Sequence, residues 1–210
     1  MKTKKSTDEV LSAVEMLSAC DAIVSFMKSI MQMDENDIDL LIPILQYRKI
    51  KKNELLLKEG DVCKNVYFMS LGFFRMFYVD YNGNEINYRF AGKNAFVVDF
   101  QSFILQKPSH FYWQAMEDSH LVALPHTEIH KLYRASEKWN NFGRLIAERV
   151  YLQLNERVEM LLFMSPEERY AHLLNTQPEL FSQVSQFNLS SYLGVKPESL
   201  SRLRKRILKK

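Results

Sequence analysis

Residues 188–210 read NLSSYLGVKPESLSRLRKRILKK. A short apolar segment ends at Leu193-Gly194, which predicts a tight turn, and Pro197 suits the first position of a second helix. One face of that helix carries apolar residues at spacings of three and four, namely Leu200, Leu203 and Ile207. The opposite face carries charged residues, namely Glu198, Arg202, Lys205 and Arg206. A helix held by leucines that presents cations outward suits a groove lined with phosphates, so the stretch predicts a DNA-binding helix-turn-helix.

The charge of the chain is concentrated in this stretch. The 210 residues carry a formal net charge of +3. Residues 196–210 hold seven Lys or Arg and one acid, a balance of +6, so the remainder carries −3. A basic patch at one end is the electrostatic footprint of a nucleic-acid contact. The alternative, a solvated basic tail, leaves the leucine spacing and the turn unexplained.

Composition excludes several classes of protein. Hydrophobic residues make up 47% of the chain, which argues against disorder. No apolar run approaches the roughly 18 residues of a membrane span, so we expect no membrane partner. The start, MKTKKSTDEV, has no apolar segment after its lysines, so no signal peptide is expected. Cys20 and Cys63 are too few for a disulfide framework or an iron-sulfur cluster, and a reducing cytoplasm is the expected location.

Short β-rich runs divided by glycine and asparagine fill the middle of the chain. Strands are predicted at Val66–Met69, Phe73–Tyr78, Ala95–Val98, Phe111–Met116 and Ser119–Leu124. Asn82-Gly83 predicts a hairpin, because both residues tolerate positive φ, and Gly72 predicts a turn. Six or more short strands at this spacing predict a small barrel or jelly roll.

Helical spacing appears before residue 45 and again after the strands. The pattern from Glu137 to Phe163 predicts one long helix, and Ser165-Pro166-Glu167-Glu168 predicts a capping box that starts another. The long helix has an a/d seam that predicts pairing with a second subunit: Ala147, Tyr151, Leu154, Val158 and Leu161. The alternative is that the seam packs only on the β-domain. A second apolar face allows both arrangements: Ile146, Val150, Met160 and Phe163.

A β-roll, a long helix and a C-terminal helix-turn-helix, in that order, resemble the Crp/Fnr superfamily of bacterial transcription regulators. The segments that carry the resemblance are Leu56–Asp61 (LLKEGD), Val66–Gly72 (VYFMSLG), Ser165–Tyr170 and Leu189–Arg204 (LSSYLGVKPESLSRLR). The resemblance implies an α+β fold with an N-terminal double-stranded β-helix (jelly-roll) sensor domain. We expect N-terminal helices over residues 1–45, a cyclic-nucleotide-binding-like roll over 46–125, a short helix and the long dimerisation helix over 126–164, and the helix-turn-helix domain over 165–210.

The resemblance also assigns roles on the last helix. Glu198, Ser199 and Arg202 stand where the family reads base edges, and Lys196, Lys205 and Arg206 are expected on phosphates. Pro197 stands where the family often has Arg or Lys. Many relatives continue into a β-wing, which we expect this chain to lack, with Lys209 and Lys210 as candidate replacements.

The sequence indicates less about the effector pocket than about the DNA-binding domain. In cyclic-nucleotide-binding relatives a Gly-Glu pair takes the ribose hydroxyl and a later Arg-Ser pair takes the cyclic phosphate. Val98-Asp99 and Ser109-His110 stand at these positions, so the arginine is absent. A buried phosphate without a counterion carries a large desolvation cost, so we expect a ligand other than cyclic AMP, or none. The candidate pocket residues are Asp99, Ser109, His110, Arg75 and Arg89; the alternative is ordinary loop and strand chemistry.

Metal binding and enzymatic activity have weaker support in the sequence. His126 and His130 have the i, i+4 spacing of metal ligands, but no third ligand is fixed, so neither a metal nor a cofactor is expected. A jelly-roll metal oxygenase needs a His-x-His pair on a strand, which is missing, so the chain is not expected to be an enzyme. We therefore expect a cytoplasmic homodimer that binds a near-palindromic DNA site, contacts RNA polymerase and has a possible small-molecule effector. The alternative is a sensing or protein-interaction module with a degenerate DNA-binding domain.

Overall fold

The computed structural model describes the backbone of residues 2–207 and the side chains of residues 13–206. The helices are α1 Lys2–Ile30, α2 Glu35–Leu41, α3 Phe100–Leu105, α4 His126–Ala135, α5 Glu137–Phe163, α6 Pro166–Thr176, α7 Leu180–Gln183, α8 Gln186–Leu193 and α9 Pro197–Ile207. The strands are β1 Gln46–Ile50, β2 Leu55–Leu57, β3 Asn65–Leu71, β4 Phe74–Val79, β5 Glu85–Ala91, β6 Phe96–Val97, β7 Tyr112–Ala115 and β8 Ser119–Pro125.

Contacts divide the chain into two compact units. Unit 1 comprises residues 1–76 and 90–145, and unit 2 comprises residues 77–89 and 146–210. The division cuts through β4, β5 and α5, so the tip of the β4–β5 hairpin belongs with the C-terminal helices. The sequence places its boundaries elsewhere, at residues 45, 125 and 164, and those boundaries remain predictions.

Unit 1 is built around two four-stranded sheets. Their strand orders are β1-β8-β3-β6 and β2-β7-β4-β5. β3 runs antiparallel to β8 from the pair Asn65 and Pro125 to the pair Met69 and Leu121. Large side chains fill the core, among them Phe68, Phe74, Trp113 and Leu121, each no more than 1% exposed. The α+β fold and all the predicted strands are confirmed, and β1, β2 and α3 were not named from the sequence.

Both predicted turns are present, one at Gly72 in unit 1 and one at Gly83 in the β4–β5 hairpin. Gly72 has φ +117°, and a Cβ there would lie 2.1 Å from the Ser119 hydroxyl oxygen, so only glycine fits. At the hairpin, Gly83 has φ +83°. The Asp80 carboxylate accepts from the backbone N–H groups of Asn82 and Asn84, both at 2.9 Å, and these donors lower the pKa of Asp80.

The N-terminal helix α1 packs on β3 and β6 through aromatic contacts. The Phe26 ring centroid lies 5.2 Å from that of Phe68 and 5.5 Å from that of Phe96. Ile23 and Met27 are buried beside it. The helical spacing before residue 45 includes Val10, Leu11, Val14 and Leu17. Val14 and Leu17 are 58% and 60% exposed, and the side chains of Val10 and Leu11 lie outside the described residues.

Unit 2 consists of helices packed on a leucine-rich core. The predicted capping box is confirmed: the Ser165 hydroxyl accepts from the Glu168 N–H at 3.3 Å, and the Glu168 carboxylate accepts from the Ser165 N–H at 2.7 Å. This backbone donor lowers the pKa of Glu168. The buried residues of the core are Tyr170, Leu173, Leu180, Val184, Leu189, Leu193, Leu200 and Leu203. Among the residues that the structure describes, no helix is both long and apolar enough to cross a bilayer.

Candidate nucleic-acid interface and effector pocket

The turn between α8 and α9 has a backbone that fixes the angle of the two helices. Gly194 ends α8 in the left-handed region at φ +66° and ψ 37°. Its N–H donates to the Ser191 carbonyl at 3.1 Å, and the Val195 N–H donates to the Ser190 carbonyl at 3.0 Å. These bonds satisfy the last carbonyls of α8, as in other helix ends with glycine at this position. The predicted helix-turn-helix geometry is therefore present.

Helix α9 is anchored on one side and open on the other. Leu200 and Leu203 are each 2% exposed. The exposed charged residues are Lys196, Glu198, Arg202, Arg204, Lys205 and Arg206, and Ser199 is half-buried. At about 100° per residue, Ser199 and Ser201 flank the face formed by Glu198 and Arg202 at equal angular distances on its two sides. Ser201 is half-buried like Ser199 and was not named from the sequence. The side chain of Ile207, and Lys209 and Lys210 entirely, lie outside the described residues.

A groove of about 680 Å³ runs between the start of α6 and the charged face of α9. Its lining comprises Pro166, Glu167, Val195, Lys196, Ser199, Arg202, Leu203, Lys205 and Arg206. Four of these are cations and one is an acid. The acid, Glu167, forms an ion pair with Arg206, with 2.7 Å between Oε1 and Nη2. The groove thus has a net positive lining with one cation already held by a carboxylate.

The hairpin tip of unit 2 is bonded to α8 through Asn87, which is fully buried. Its Nδ2 donates to the Ser191 hydroxyl at 2.8 Å and to the Asn188 side-chain oxygen at 3.2 Å. Its backbone N–H donates to the same hydroxyl at 3.1 Å. We call Asn87, Asn188 and Ser191 the hairpin clasp. The sequence offered one signal for it, a polar residue between Ile86 and Tyr88 in a β-rich run.

Helix α5 contacts α8 through a cation–π pair. The Arg157 guanidinium carbon lies 4.0 Å from the ring centroid of Tyr192, and the guanidinium also donates to the Tyr192 carbonyl. Burial lowers the pKa of Arg157 and raises that of Tyr192. Because the Arg157 guanidinium stacks on the face of the Tyr192 ring, the pair holds the end of α8 against α5.

The predicted seam of α5 lies on an open face. Tyr151, Val158 and Leu161 are 66%, 50% and 40% exposed, and Ala147 and Leu154 are half-buried. On the second apolar face, Val150 and Met160 are buried, as predicted. Phe163 is 78% exposed instead, because it falls at the last turn of α5 and points away from that face.

Of the five predicted effector-pocket residues, Asp99 and Ser109 contact each other in unit 1. Asp99 caps the start of α3, where its Oδ1 accepts from the Ser102 N–H at 3.3 Å and its Oδ2 accepts from the Ser109 hydroxyl at 2.7 Å. Both Asp99 and Ser109 are buried, and His110 is exposed. The acid is therefore engaged in local structure, as the alternative interpretation of this loop has it.

The two candidate arginines each donate hydrogen bonds to a glutamine. The Arg75 guanidinium donates to the Gln114 side-chain oxygen through Nε at 2.9 Å and Nη2 at 2.6 Å. Arg89 belongs to unit 2, where its Nη2 donates to the Gln153 side-chain oxygen at 3.1 Å. Burial lowers the pKa of Arg89. Each arginine thus donates to a neutral glutamine side chain.

Unit 1 has a cavity of about 280 Å³ that none of these five residues lines. Its lining comprises Leu56, Leu57, Asp61, Val62, Cys63, Lys64, Asn65, Tyr67, Val97, Val98 and Trp113. Burial raises the pKa of Cys63 to about 11, so its thiol is protonated at neutral pH. No sequence motif indicates this cavity, because its lining comes from segments that are far apart in the chain.

Comparison with known proteins agrees with this architecture. Residues 47–136 match the family model of the cyclic nucleotide-binding domain. The fumarate and nitrate reduction regulatory protein of Yersinia pestis is 26% identical over 189 residues, which span 81% of this chain and 72% of that protein. FixK2 from Bradyrhizobium japonicum superposes with a TM-score of 0.66 at 15% identity, over 79% of this chain and 85% of that one. The Thermus thermophilus catabolite activator protein has a TM-score of 0.55 at 18% identity, over 88% and 87% of the two chains.

The family model, the curated relatives and the solved structures together support assignment of the chain to the Crp/Fnr superfamily. The family model covers the β-roll of this Crp/Fnr protein, and the match to the Yersinia pestis relative extends over most of the chain. The curated relatives are regulators by name, among them the electron transport regulator A of Shewanella oneidensis. In this Crp/Fnr protein the roll therefore belongs to the cyclic-nucleotide-binding type, and α8 and α9 form the C-terminal helix pair of the regulator fold.

Proposed function

We propose that this Crp/Fnr protein is a homodimeric transcription regulator that binds DNA through α9. The observation that carries the proposal is the outward face of α9, where Arg202, Lys205 and Arg206 are exposed on a helix anchored by two buried leucines. A helix of this kind fits the major groove with its N-terminal side chains on base edges. The relatives' role as transcription regulators supports the same proposal.

The residues of α9 suit different parts of DNA. Arg202 can donate two hydrogen bonds to guanine O6 and N7, and Glu198 can accept from cytosine N4. Lys196, Lys205 and Arg206 are suited to phosphates, which set register and orientation. The short side chains of Ser199 and Ser201 can contact either a base edge or a phosphate. Two such helices in a symmetric dimer would meet successive major grooves of a near-palindromic site.

A mobility-shift assay on genomic fragments tests the proposal. The purified full-length protein should retain a subset of fragments at moderate salt, and competitor DNA of random sequence should not displace that subset. Because phosphate contacts release counterions, retention should weaken steeply as salt is raised. A folded protein that retains no fragment at low salt would contradict the proposal and favour the alternative, a sensing module without DNA binding.

The ion pair between Glu167 and Arg206 gives a prediction about DNA affinity. Glu167→Gln should tighten DNA binding about two- to fivefold, because a surface ion pair is worth roughly 0.5–1 kcal/mol and its loss frees Arg206 for a phosphate. The measurement is a fluorescence-anisotropy titration at several salt concentrations. Glu179→Gln is the matched control, since Glu179 is an exposed acid of unit 2 outside the groove. Equal affinities of parent and Glu167→Gln would contradict the prediction.

We further propose that the roll does not bind cyclic AMP. The Asp99 carboxylate is engaged by two donors within its own loop, and Arg75 is engaged by Gln114. A cyclic phosphate beside Asp99 and Ser109 would meet a carboxylate and a hydroxyl instead of a cation. Calorimetric titration with cyclic AMP should therefore give a Kd no tighter than about 1 mM. A micromolar Kd would contradict the proposal. RNA polymerase as a partner and the cytoplasm as location stay predictions from the sequence.

A further inference from the structure

Two histidines meet on the outside of unit 1, at the start of α4. His126 is the first residue of that helix, and its N–H donates to the Lys64 carbonyl at 2.9 Å. His130 follows one turn later on the same face. Their Nε2 atoms lie 3.0 Å apart. In the metal-free protein this is a hydrogen bond in which one imidazole donates to the other.

Aromatic neighbours restrain both rings. The His126 ring packs edge-on against Phe103, with centroids 5.0 Å apart at 70°. The His130 ring packs edge-on against Tyr133, with centroids 5.9 Å apart at 79°. The two imidazoles are therefore held toward one another by a buried phenylalanine and by a tyrosine of their own helix. Binding one ion with both nitrogens would require each ring to rotate so that its Nε2 lone pair turns from the other nitrogen toward the ion.

The distance between the nitrogens fits one metal ion. Histidine nitrogens bind first-row divalent ions at about 2.0–2.1 Å, so two nitrogens 3.0 Å apart subtend about 95° at the ion. That angle is typical of neighbouring ligands in square-planar or octahedral geometry. A tetrahedral zinc site needs about 109°, which would move the nitrogens to about 3.3 Å. Square-planar or tetragonal nitrogen and oxygen ligation is characteristic of Cu²⁺ and Ni²⁺.

We propose that His126 and His130 form a two-histidine site for a divalent transition-metal ion of the copper and nickel type. The ion would displace the proton shared by the two Nε2 atoms and lie to one side of the line between them, with both lone pairs turned toward it. Glu128 lies between them in sequence, but its Oε1 pairs with Lys131 Nζ at 2.8 Å. Within the residues that the structure describes, no three His, Cys, Asp or Glu side chains cluster as metal ligands. Water would complete the coordination, which leaves open positions on the ion.

The proposal differs from the expectation of no metal that the sequence gives. Sequence spacing supplied the pair but not the distance between the nitrogens, nor the packing of both rings. It is also independent of DNA binding, because all of its residues belong to unit 1 and none lies on α9.

The test is a calorimetric titration of the tag-free, full-length protein with NiCl₂, in parallel with ZnCl₂. Ni²⁺ is the probe because thiols such as Cys20 do not reduce it. One Ni²⁺ per chain should bind, more tightly than Zn²⁺. His130→Ala and His126→Ala should each weaken binding about tenfold or more, since each removes one of two protein ligands. His172→Ala, a histidine of unit 2, is the matched control and should bind Ni²⁺ as the parent does.

Thermal unfolding supplies a second readout. Ni²⁺ should raise the Tm of the parent and of His172→Ala but not that of His130→Ala, because only a folded site that binds the ion is stabilised by it. Circular dichroism of each variant without metal checks that it is folded. Equal Ni²⁺ affinity in parent and folded His130→Ala, or no saturable binding by the parent, would overturn the site. Tighter binding of Zn²⁺ than of Ni²⁺ would overturn the assigned class of metal.

Discussion

Val158→Glu is expected to turn the proposed dimer into a monomer. Val158 lies in the middle of the α5 seam and is 50% exposed, so the substitution leaves the fold of one chain nearly undisturbed. In a symmetric pair of α5 helices, each new carboxylate would be buried close to its symmetry mate. Burying two like charges costs several kcal/mol, which corresponds to a rise in the dimer dissociation constant on the order of 100-fold or more.

Analytical ultracentrifugation measures this change directly. Leu152→Glu is the matched control, because Leu152 is 64% exposed on the same helix but lies about 140° around it from the seam. The control should stay dimeric. The monomeric variant should also lose operator affinity, since two linked heads gain roughly 100- to 10,000-fold from effective concentration. A Val158→Glu protein that remains dimeric would show that the seam is not the interface.

Arg202→Ala is expected to weaken specific DNA binding about 10- to 100-fold. A bidentate arginine–guanine contact is worth roughly 1–3 kcal/mol of discrimination, and Arg202 is exposed at the centre of the outward face of α9. The loss of affinity should fall on specific fragments. Affinity for random DNA should decrease by little more than the loss of one phosphate contact would cause. Anisotropy titrations with a retained fragment and with its single-base variants measure both effects.

Arg204→Ala is the control for the loss of charge. Arg204 is an exposed arginine of the same helix, but it lies about 160° around α9 from Arg202. Both variants remove one positive charge from the same helix. A larger loss of specific affinity in Arg202→Ala than in Arg204→Ala therefore reports a base contact made by Arg202. If the two lose specific affinity equally, Arg202 contributes charge alone and does not read a base.

Local sequence signals determined the parts of this fold that depend on neighbouring residues. The long helix was predicted with both of its ends, Glu137 and Phe163, because its apolar spacing is regular and Ser165 caps the next helix. The turn at Gly194 followed from a glycine after an apolar run. These features rest on contacts within about one or two helical turns, which a single sequence displays.

The features that were missed depend on residues far apart in the chain. The resemblance predicts Asp99 as an effector-pocket residue, yet here its carboxylate caps α3 and accepts from the Ser109 hydroxyl. Helix α3 was not predicted, because its six residues are too few for a periodic pattern. The roll cavity likewise draws its lining from β2, β3, β6 and β7. No single stretch of sequence contains the information that brings these side chains together.

The hairpin clasp sets the permitted length of a surface loop. Side chains of β5 alternate between two faces, so an insertion or deletion of one residue near Tyr81 would replace Asn87 with a neighbour that points the other way. Ser191 would then lose two donors inside a buried contact. Exposed hairpin tips normally tolerate length changes over evolution, and Tyr81 is 98% exposed. In this protein we expect the tip to vary in composition but to keep its length, because α8 fixes the register of the strand behind it.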